Sequence, residues 1–389
     1  RRGDISRYVH GTPILRPGFL FILALFPDTI AQTLREDAMR FIEPRTGWVI
    51  VMTGLIALAS CTTYDDGSRN SSDALEDDFE WRMARYSQEE LVPEKVFSES
   101  GTVLVSTKKC KAEDKQRLDA LFPISEARKS RSEQVNAPFG LPLSDAANDS
   151  EVFLHHDEYI LLYNSELKLP VFASYRLRAQ DVVKGEREEC FREDPRLETA
   201  QRSRTIDYQG STDLDKGHLV PDADMQRSRD AAMNTYFMSN MMPQFGSVNS
   251  GSWSYIEAAG RLWAGELGEV YVVSGPIFDK DDDGVRDDDS DANRAPPTKN
   301  VAKPTAFYRI VLRVSDDGSL RAISFILPHI QASTAPNPEY VLTKLTSIDA
   351  IEQVTGYDLF SSLPDVQEDA LEATIEDDFW CRRRCNGSF

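Results

Sequence analysis

Asp207-Tyr-Gln-Gly-Ser-Thr-Asp-Leu-Asp-Lys-Gly-His-Leu-Val-Pro221 sets His218 directly after Gly217 and three residues after Asp215. Glycine admits close backbone approach or an unusual dihedral, so the imidazole that follows it reads as placed. A buried structural histidine bonded to backbone would satisfy the same four residues, and the stretch alone does not separate the two. The next forty residues do. They carry Phe237-Met-Ser-Asn240, Pro243-Gln244, Val248-Asn249, then Trp253 and Glu257. Over residues 252–267, Trp253, Ile256, Ala259 and Trp263 fall at near-helical intervals, which predicts a helix packed on a sheet.

Working outward, the chain reads as short strands on both sides of this segment. Residues 159–163 and 171–177 are rich in aromatic and aliphatic side chains, and residues 269–274, 307–312 and 320–327 read as half or fully buried strands. Residues 81–137 read as a helical extension, with apolar spacing over 116–122 and a highly charged run over 126–134. The fold class is therefore α+β, with a central antiparallel or mixed sheet flanked by helices.

The ordered set of motifs resembles the DNA/RNA non-specific endonuclease family, the sugar-non-specific ββα-metal nucleases of the endonuclease G type. The family motif Asp-Arg-Gly-His stands here as Asp215-Lys216-Gly217-His218. Further matches are Cys190-Phe-Arg-Glu-Asp194, Asp207-Tyr-Gln-Gly-Ser211, Asn240 with Pro243-Gln244, Gly275-Pro-Ile-Phe278, Pro304-Thr-Ala-Phe-Tyr308, and the segment from Glu352 to Gly356. They run in order over residues 138–366.

That resemblance implies a ββα-metal fold and a metal-dependent phosphodiesterase. Hydrolysis of a phosphodiester needs an activated water, a cation on the phosphate oxygens and leaving group, and neutralisation of growing negative charge. By resemblance His218 is the general base, suited to the task by a reference pKa of ~6.5. Asn249 is the direct ligand to Mg2+ or Mn2+, and Glu257, two turns on, reaches the metal through water. Asn240 lies near the scissile phosphate, Asp215 and Lys216 complete the motif, and Gln244 fixes the loop. A further phosphate-binding arginine is expected among Arg187, Arg192 and Arg204, with Arg192 placed first. The departure is Lys216, where the family usually has Arg; lysine keeps the charge and loses the bidentate fork. No base-reading signature stands in the sequence, so the implied substrate is DNA and RNA held through backbone phosphate.

The 389 residues carry a formal charge of −20, which argues against a surface that is basic all over. Three stretches hold nearly all of it: residues 64–80 contribute −6, residues 279–291 −6 and residues 365–378 −7. The body of the chain is close to neutral. In the second stretch, Asp279, Asp281, Asp283 and Asp287 surround Gly284 with the spacing of a calcium loop, although Ser290 stands where an EF-hand has Glu. The competing reading is a solvated acidic insertion.

Ahead of the domain, residues 39–61 read as a lipoprotein-type signal peptide ending Leu58-Ala59-Ser60-Cys61, with residues 1–38 as upstream translation and 62–80 as an acidic tether. This predicts a bacterial envelope or secreted protein, lipid-anchored if Cys61 is acylated. Four cysteines remain, and Cys110–Cys190 with Cys381–Cys385 is the simplest of three pairings. Residues 367–389 form an acidic tail. Two rival functions are a nucleic-acid-binding lipoprotein weakened in catalysis by Lys216 and a calcium-stabilised envelope interaction protein.

Overall fold

The computed structural model describes residues 108–380 apart from 145–147, 211–212, 333–337 and 377–378, together with the backbone of two short strands, Val96–Phe97 (β1) and Val103–Leu104 (β2). The segments read as a signal peptide and tether, together with Cys61, Cys381 and Cys385, lie outside the described residues.

Seven strands form the main sheet. They are β4 (Glu151–His155), β5 (Ile160–Asn164), β6 (Leu169–Arg178), β10 (Glu269–Ile277), β11 (Ala306–Val314), β12 (Leu320–Pro328) and β13 (Leu345–Thr346), in the spatial order β13-β12-β11-β10-β6-β5-β4. Every neighbouring pair is antiparallel. All five residues of β5 and the first seven of β6 are buried. Strands apolar on both sides need cover on both faces, and helices supply it here. The outer strand β4 is buried only at its last two positions.

Two smaller pairs complete the strands. β3 (Lys108–Lys109) runs parallel to β7 (Glu188–Glu189), and β8 (Leu214–His218) pairs antiparallel with β9 (Met241–Phe245). Within the helical extension read over residues 81–137, the short strands β1, β2 and β3 precede α1 (Ala112–Asp119) and α2 (Glu126–Asn136). Backbone pairing of β3 with β7 places Cys110 beside Cys190, and the two form a disulfide. It closes a separation of 80 residues, which chain entropy rates at about 4.5 kcal/mol.

α3 (Arg229–Asn234) is capped by the Ser228 hydroxyl. α4 (Trp253–Leu267) buries Trp253, Ile256, Ala259 and Trp263 on one side, the face its spacing predicts, and packs against β10 and β6. A wide turn of π type, Val248–Ser252, leads into it, with Gly251 in a non-helical conformation. The remaining helices are α5 (Pro338–Leu342), α6 (Ile348–Thr355) and α7 (Asp365–Glu372), the last lying against β12. No helix among the described residues is long and apolar enough to cross a membrane.

Candidate active site

The β8–β9 ribbon and α4 together form a strand–strand–helix unit, and the residues singled out by sequence are distributed over it. His218 ends β8 opposite Met241, and Gly217 stands opposite Met242. Across the ribbon the Gln244 side chain lies over Gly217. A Cβ there would come within 1.7 Å of Gln244 Oε1 and 2.3 Å of its Cδ, so any other residue would force the Gln244 side chain to move. Gln244 is fully buried and neither amide atom has a hydrogen-bond partner. It therefore packs against the ribbon without fixing the loop by hydrogen bonds.

His218 is half-buried, with Nε2 wholly buried and free of any hydrogen-bond partner. Its ring meets Tyr236 edge-on at 4.8 Å between centroids and Phe191 at 6.2 Å. Burial, then the charges of Arg187 and Lys216, hold its pKa down to about 3. The imidazole is thus neutral throughout the physiological range and free to accept a proton, while the same burial and charges make it a weaker base than an exposed histidine. Lys216, two residues back, rests its ammonium 4.8 Å from the centre of the Phe191 ring.

Asp215 is exposed, and one of its oxygens accepts a 3.0 Å hydrogen bond from Asn249 Nδ2. A carboxylate can only accept, so this bond fixes which way the amide points. Asn249 Oδ1 is then the hard oxygen left for a cation, with a second carboxylate oxygen close by. Asn249 sits in the wide turn before α4 and caps nothing there. Residues and geometry fit a magnesium-type ion, which favours few protein oxygens and retains water.

Glu257 lies on α4 among charged neighbours. Burial pushes its carboxyl up to about 7, opposed by Arg309 and Arg261. Those arginines share Asp224, which is fully buried: Arg261 donates to it at 2.6 Å, Tyr175 OH at 2.5 Å and Arg309 at 3.3 Å. Asp224 belongs to the short turn Asp222–Asp224, four residues beyond His218's strand end at its near side. One buried ionic hub therefore joins the loop after the histidine to the helix that carries Glu257 and to strands β6 and β11.

Two assignments are corrected. Arg192 does not face a phosphate: it is buried, and its guanidinium is spent on Asp119, the carbonyls of Cys190 and Met233, and Asn234 Oδ1, with the Phe237 ring 3.7 Å below. Asn240 is fully buried and clamps backbone, bonding both N–H and C=O of Val220 and the carbonyl of Thr235. It holds the exit of β8 and offers no atom to substrate. Arg204 pairs with Asp207. The arginine whose charge acts on His218 is Arg187, beside Tyr236 and Asp222, and burial pushes Asp222 up to about 6. Sequence reading missed Asp224, Arg261 and Arg309. Arg261 stands four residues after Glu257 on one helical face, and Arg309 is a charge inside an apolar strand; both were visible signals.

Elsewhere, ligand oxygens of Asp279, Asp281 and Asp283 gather within 4.8 Å of one another, around Gly284 at φ +80°. Asp287 is not with them, because it accepts from the Lys280 backbone N–H and so closes the loop. A cavity of about 530 Å³ is lined by Arg128, Arg131, Arg176, Arg178 and Arg227. Arg128 and Arg178 are bridged to Asp157 and Asp181, whereas Arg131 and Arg227 form no ion pair among the described residues.

The model of the family described as DNA/RNA non-specific endonuclease matches residues 142–366. Nuclease C1 of Cunninghamella echinulata var. echinulata is 30% identical over 53% of this chain and 82% of its own length. Human mitochondrial endonuclease G is 29% identical over 50% of this chain and 65% of its own. A venom phosphodiesterase of Macrovipera lebetinus is 26% identical over 69% of this chain, which spans about a third (34%) of that longer protein. With His218, Asp215 and Asn249 carried on one strand–strand–helix unit, and a family match over more than half its length, the chain belongs to the DNA/RNA non-specific endonuclease family, whose members are metal-dependent hydrolases of nucleic acids.

Proposed function

We propose that this chain is a Mg2+-dependent endonuclease that hydrolyses phosphodiester bonds in DNA and RNA without regard to sequence. The observation that carries the proposal is His218, whose buried Nε2 has no partner and whose neutrality is enforced by burial and two neighbouring cations. His218 takes the proton of the attacking water. Asn249 Oδ1, oriented by Asp215, holds the ion, with Glu257 acting through water. Magnesium supplies Lewis-acid stabilisation of the phosphate oxygens and leaving group, and Mn2+ meets the same oxygen donors. Lys216 and Arg187 offset the negative charge that builds on the phosphate. All of these groups address phosphate, which carries no base information. The test is nicking of supercoiled plasmid and cleavage of a structured RNA with Mg2+ and with EDTA; intact substrates in Mg2+ would overturn the reading.

The state of Glu257 gives the proposal a pH signature. Below about pH 7 the metal-free carboxyl is protonated, and a cation must displace that proton to gain a negative neighbour. The Mg2+ concentration for half-maximal activity is therefore expected to rise up to about tenfold per pH unit from pH 7 towards pH 5. Magnesium titrations at pH 5.5, 6.5 and 7.5 with one unchanging midpoint would remove Glu257 from the metal site.

The arginine cavity suits flanking phosphates of a long substrate. Arg227 lines it and follows closely on the Asp222–Asp224 turn next to the histidine. The pair Arg131→Ala with Arg227→Ala is expected to raise KM for duplex DNA, leave kcat in place and lower the salt slope by about 1.8. An unchanged slope would take the cavity off the substrate path.

The loop of Asp279, Asp281 and Asp283 we assign to calcium. After EDTA treatment, Ca2+ is expected to raise the melting temperature by several degrees, and Asp281→Asn should lose part of that shift; a wild-type melting temperature indifferent to Ca2+ would return the loop to a solvated insertion. The Cys110–Cys190 bond supports export to an oxidising compartment, the bacterial envelope or medium, with acylation of Cys61 as the anchor. Mass spectrometry of the N-terminal peptide from native membranes tests that anchor.

A further inference from the structure

A second group of carboxylates lies away from the nuclease unit, where α6 meets α7. Ligand oxygens of Asp349, Glu352 and Glu372 fall within 4.8 Å of one another. Asp349 is exposed and Glu352 half-buried, but Glu372 is only 7% exposed. Its Oε1 is buried without any hydrogen-bond partner. An unpartnered carboxylate oxygen held against two other acids is costly, because both desolvation and like charge oppose it.

The surroundings do not offset this cost. Without a cation, the two carboxyls are reconciled only by a proton held in a hydrogen bond between them, since the other charged groups that act on them, Asp349, Asp358 and Glu368, are all acids. Glu352 spends one oxygen on the backbone N–H of Leu359 at 2.6 Å, which orients its carboxylate and leaves the other oxygen to the cluster. In keeping with this crowding, burial and the neighbouring acids push Glu352 up to about 7 and Glu372 up to about 8.

We propose that Asp349, Glu352 and Glu372 bind a calcium ion that staples α7 to α6. Calcium forms bonds of about 2.3–2.6 Å to flexible carboxylate sets and so bridges oxygens of this spread, whereas Mg2+ demands about 2.0–2.1 Å and a regular octahedron. The ion replaces repulsion between two helices by a shared ligand, and fixes α7 against β12. The site is separate from the Asp279 loop, which packs on α6 from another position through Gly284 and Gln353.

The full chain, stripped with EDTA and dialysed, is titrated with CaCl2 by calorimetry and melted with and without Ca2+. Glu372→Gln is nearly isosteric and removes one repelling charge. It is expected to melt above the wild type in EDTA, to bind one equivalent of Ca2+ fewer, and to show a smaller Ca2+-dependent rise in melting temperature. Glu352→Gln should behave alike, and Asp281→Asn should retain the equivalent that Glu372→Gln loses. Binding of the same number of equivalents by wild type and both glutamine variants, with equal thermal shifts, overturns the proposal and leaves a proton shared between the two carboxyls as the explanation. Plasmid cleavage in Mg2+ is expected to survive in Glu372→Gln, and that activity confirms that the variant is folded.

Discussion

His218→Ala is expected to cut plasmid about 10³-fold more slowly than the wild type in saturating Mg2+, while its melting curve stays close to wild type. The rate figure is what a positioned general base contributes, on the order of 10²–10⁴. The small effect on stability follows from the site: Nε2 makes no hydrogen bond, so no partner is orphaned when the ring is removed, and the main loss is edge contact with Tyr236. The ring leaves a hole lined by Phe191 and Tyr236, and added imidazole should restore part of the activity by filling it. A purely structural histidine would show neither the rate loss without unfolding nor the rescue. Cleavage within tenfold of wild type would sink the assignment, and with it the proposed base.

Asp224→Ala is expected to destabilise the fold by about 3–5 kcal/mol, a sizeable fraction of the roughly 5–15 kcal/mol that holds a domain together. Asp224 is the common acceptor of Arg309, Arg261 and the Tyr175 hydroxyl, and both Asp224 and Arg309 are fully buried. Truncation leaves Arg309 charged in the interior with the Ser274 and Tyr175 hydroxyls as hydrogen-bond partners and Glu257 as the remaining neighbouring acid. Urea denaturation should show a lower midpoint with an unchanged slope. Asp224→Asn keeps the shape without the charge and should fall between the two. Arg261 loses its anchor one turn from Glu257, so activity should also fall under conditions where the protein remains folded. A loss of less than about 1 kcal/mol would mean that the hub is not what ties α4 to the sheet.

Much of the sheet could be read from the chain, since unbroken aliphatic and aromatic runs at residues 159–163, 171–177, 307–312 and 320–327 all became strands. The helix beginning at Trp253 was legible for the same reason, a regular apolar period. The candidate site was legible where chemistry is local: Asp215, Lys216, Gly217 and His218 are four consecutive residues, and Asn249 returns to Asp215 as ribbon and turn bring them together. What sequence could not order was the arginines. Arg187, Arg192 and Arg204 are alike in type and lie within eighteen residues of one another; only packing shows that Arg192 is locked under α1 and α3 while Arg187 acts on His218. Asn240 misled for a related reason: an amide that clamps backbone and one that greets a phosphate are the same residue until its hydrogen bonds are known.

The disulfide has a consequence beyond stability. Cys190 immediately precedes Phe191, and that ring lies against both His218 and the Lys216 ammonium. While the thiols stay reduced, the segment bearing Phe191 is tied to α1 by polar contacts without the covalent bond: Lys115 donates to the Phe191 carbonyl and Arg192 to Asp119. Oxidation therefore adds a covalent tie to the wall behind His218. If the chain is exported as proposed, that covalent tie forms after it has left the compartment that holds the genome.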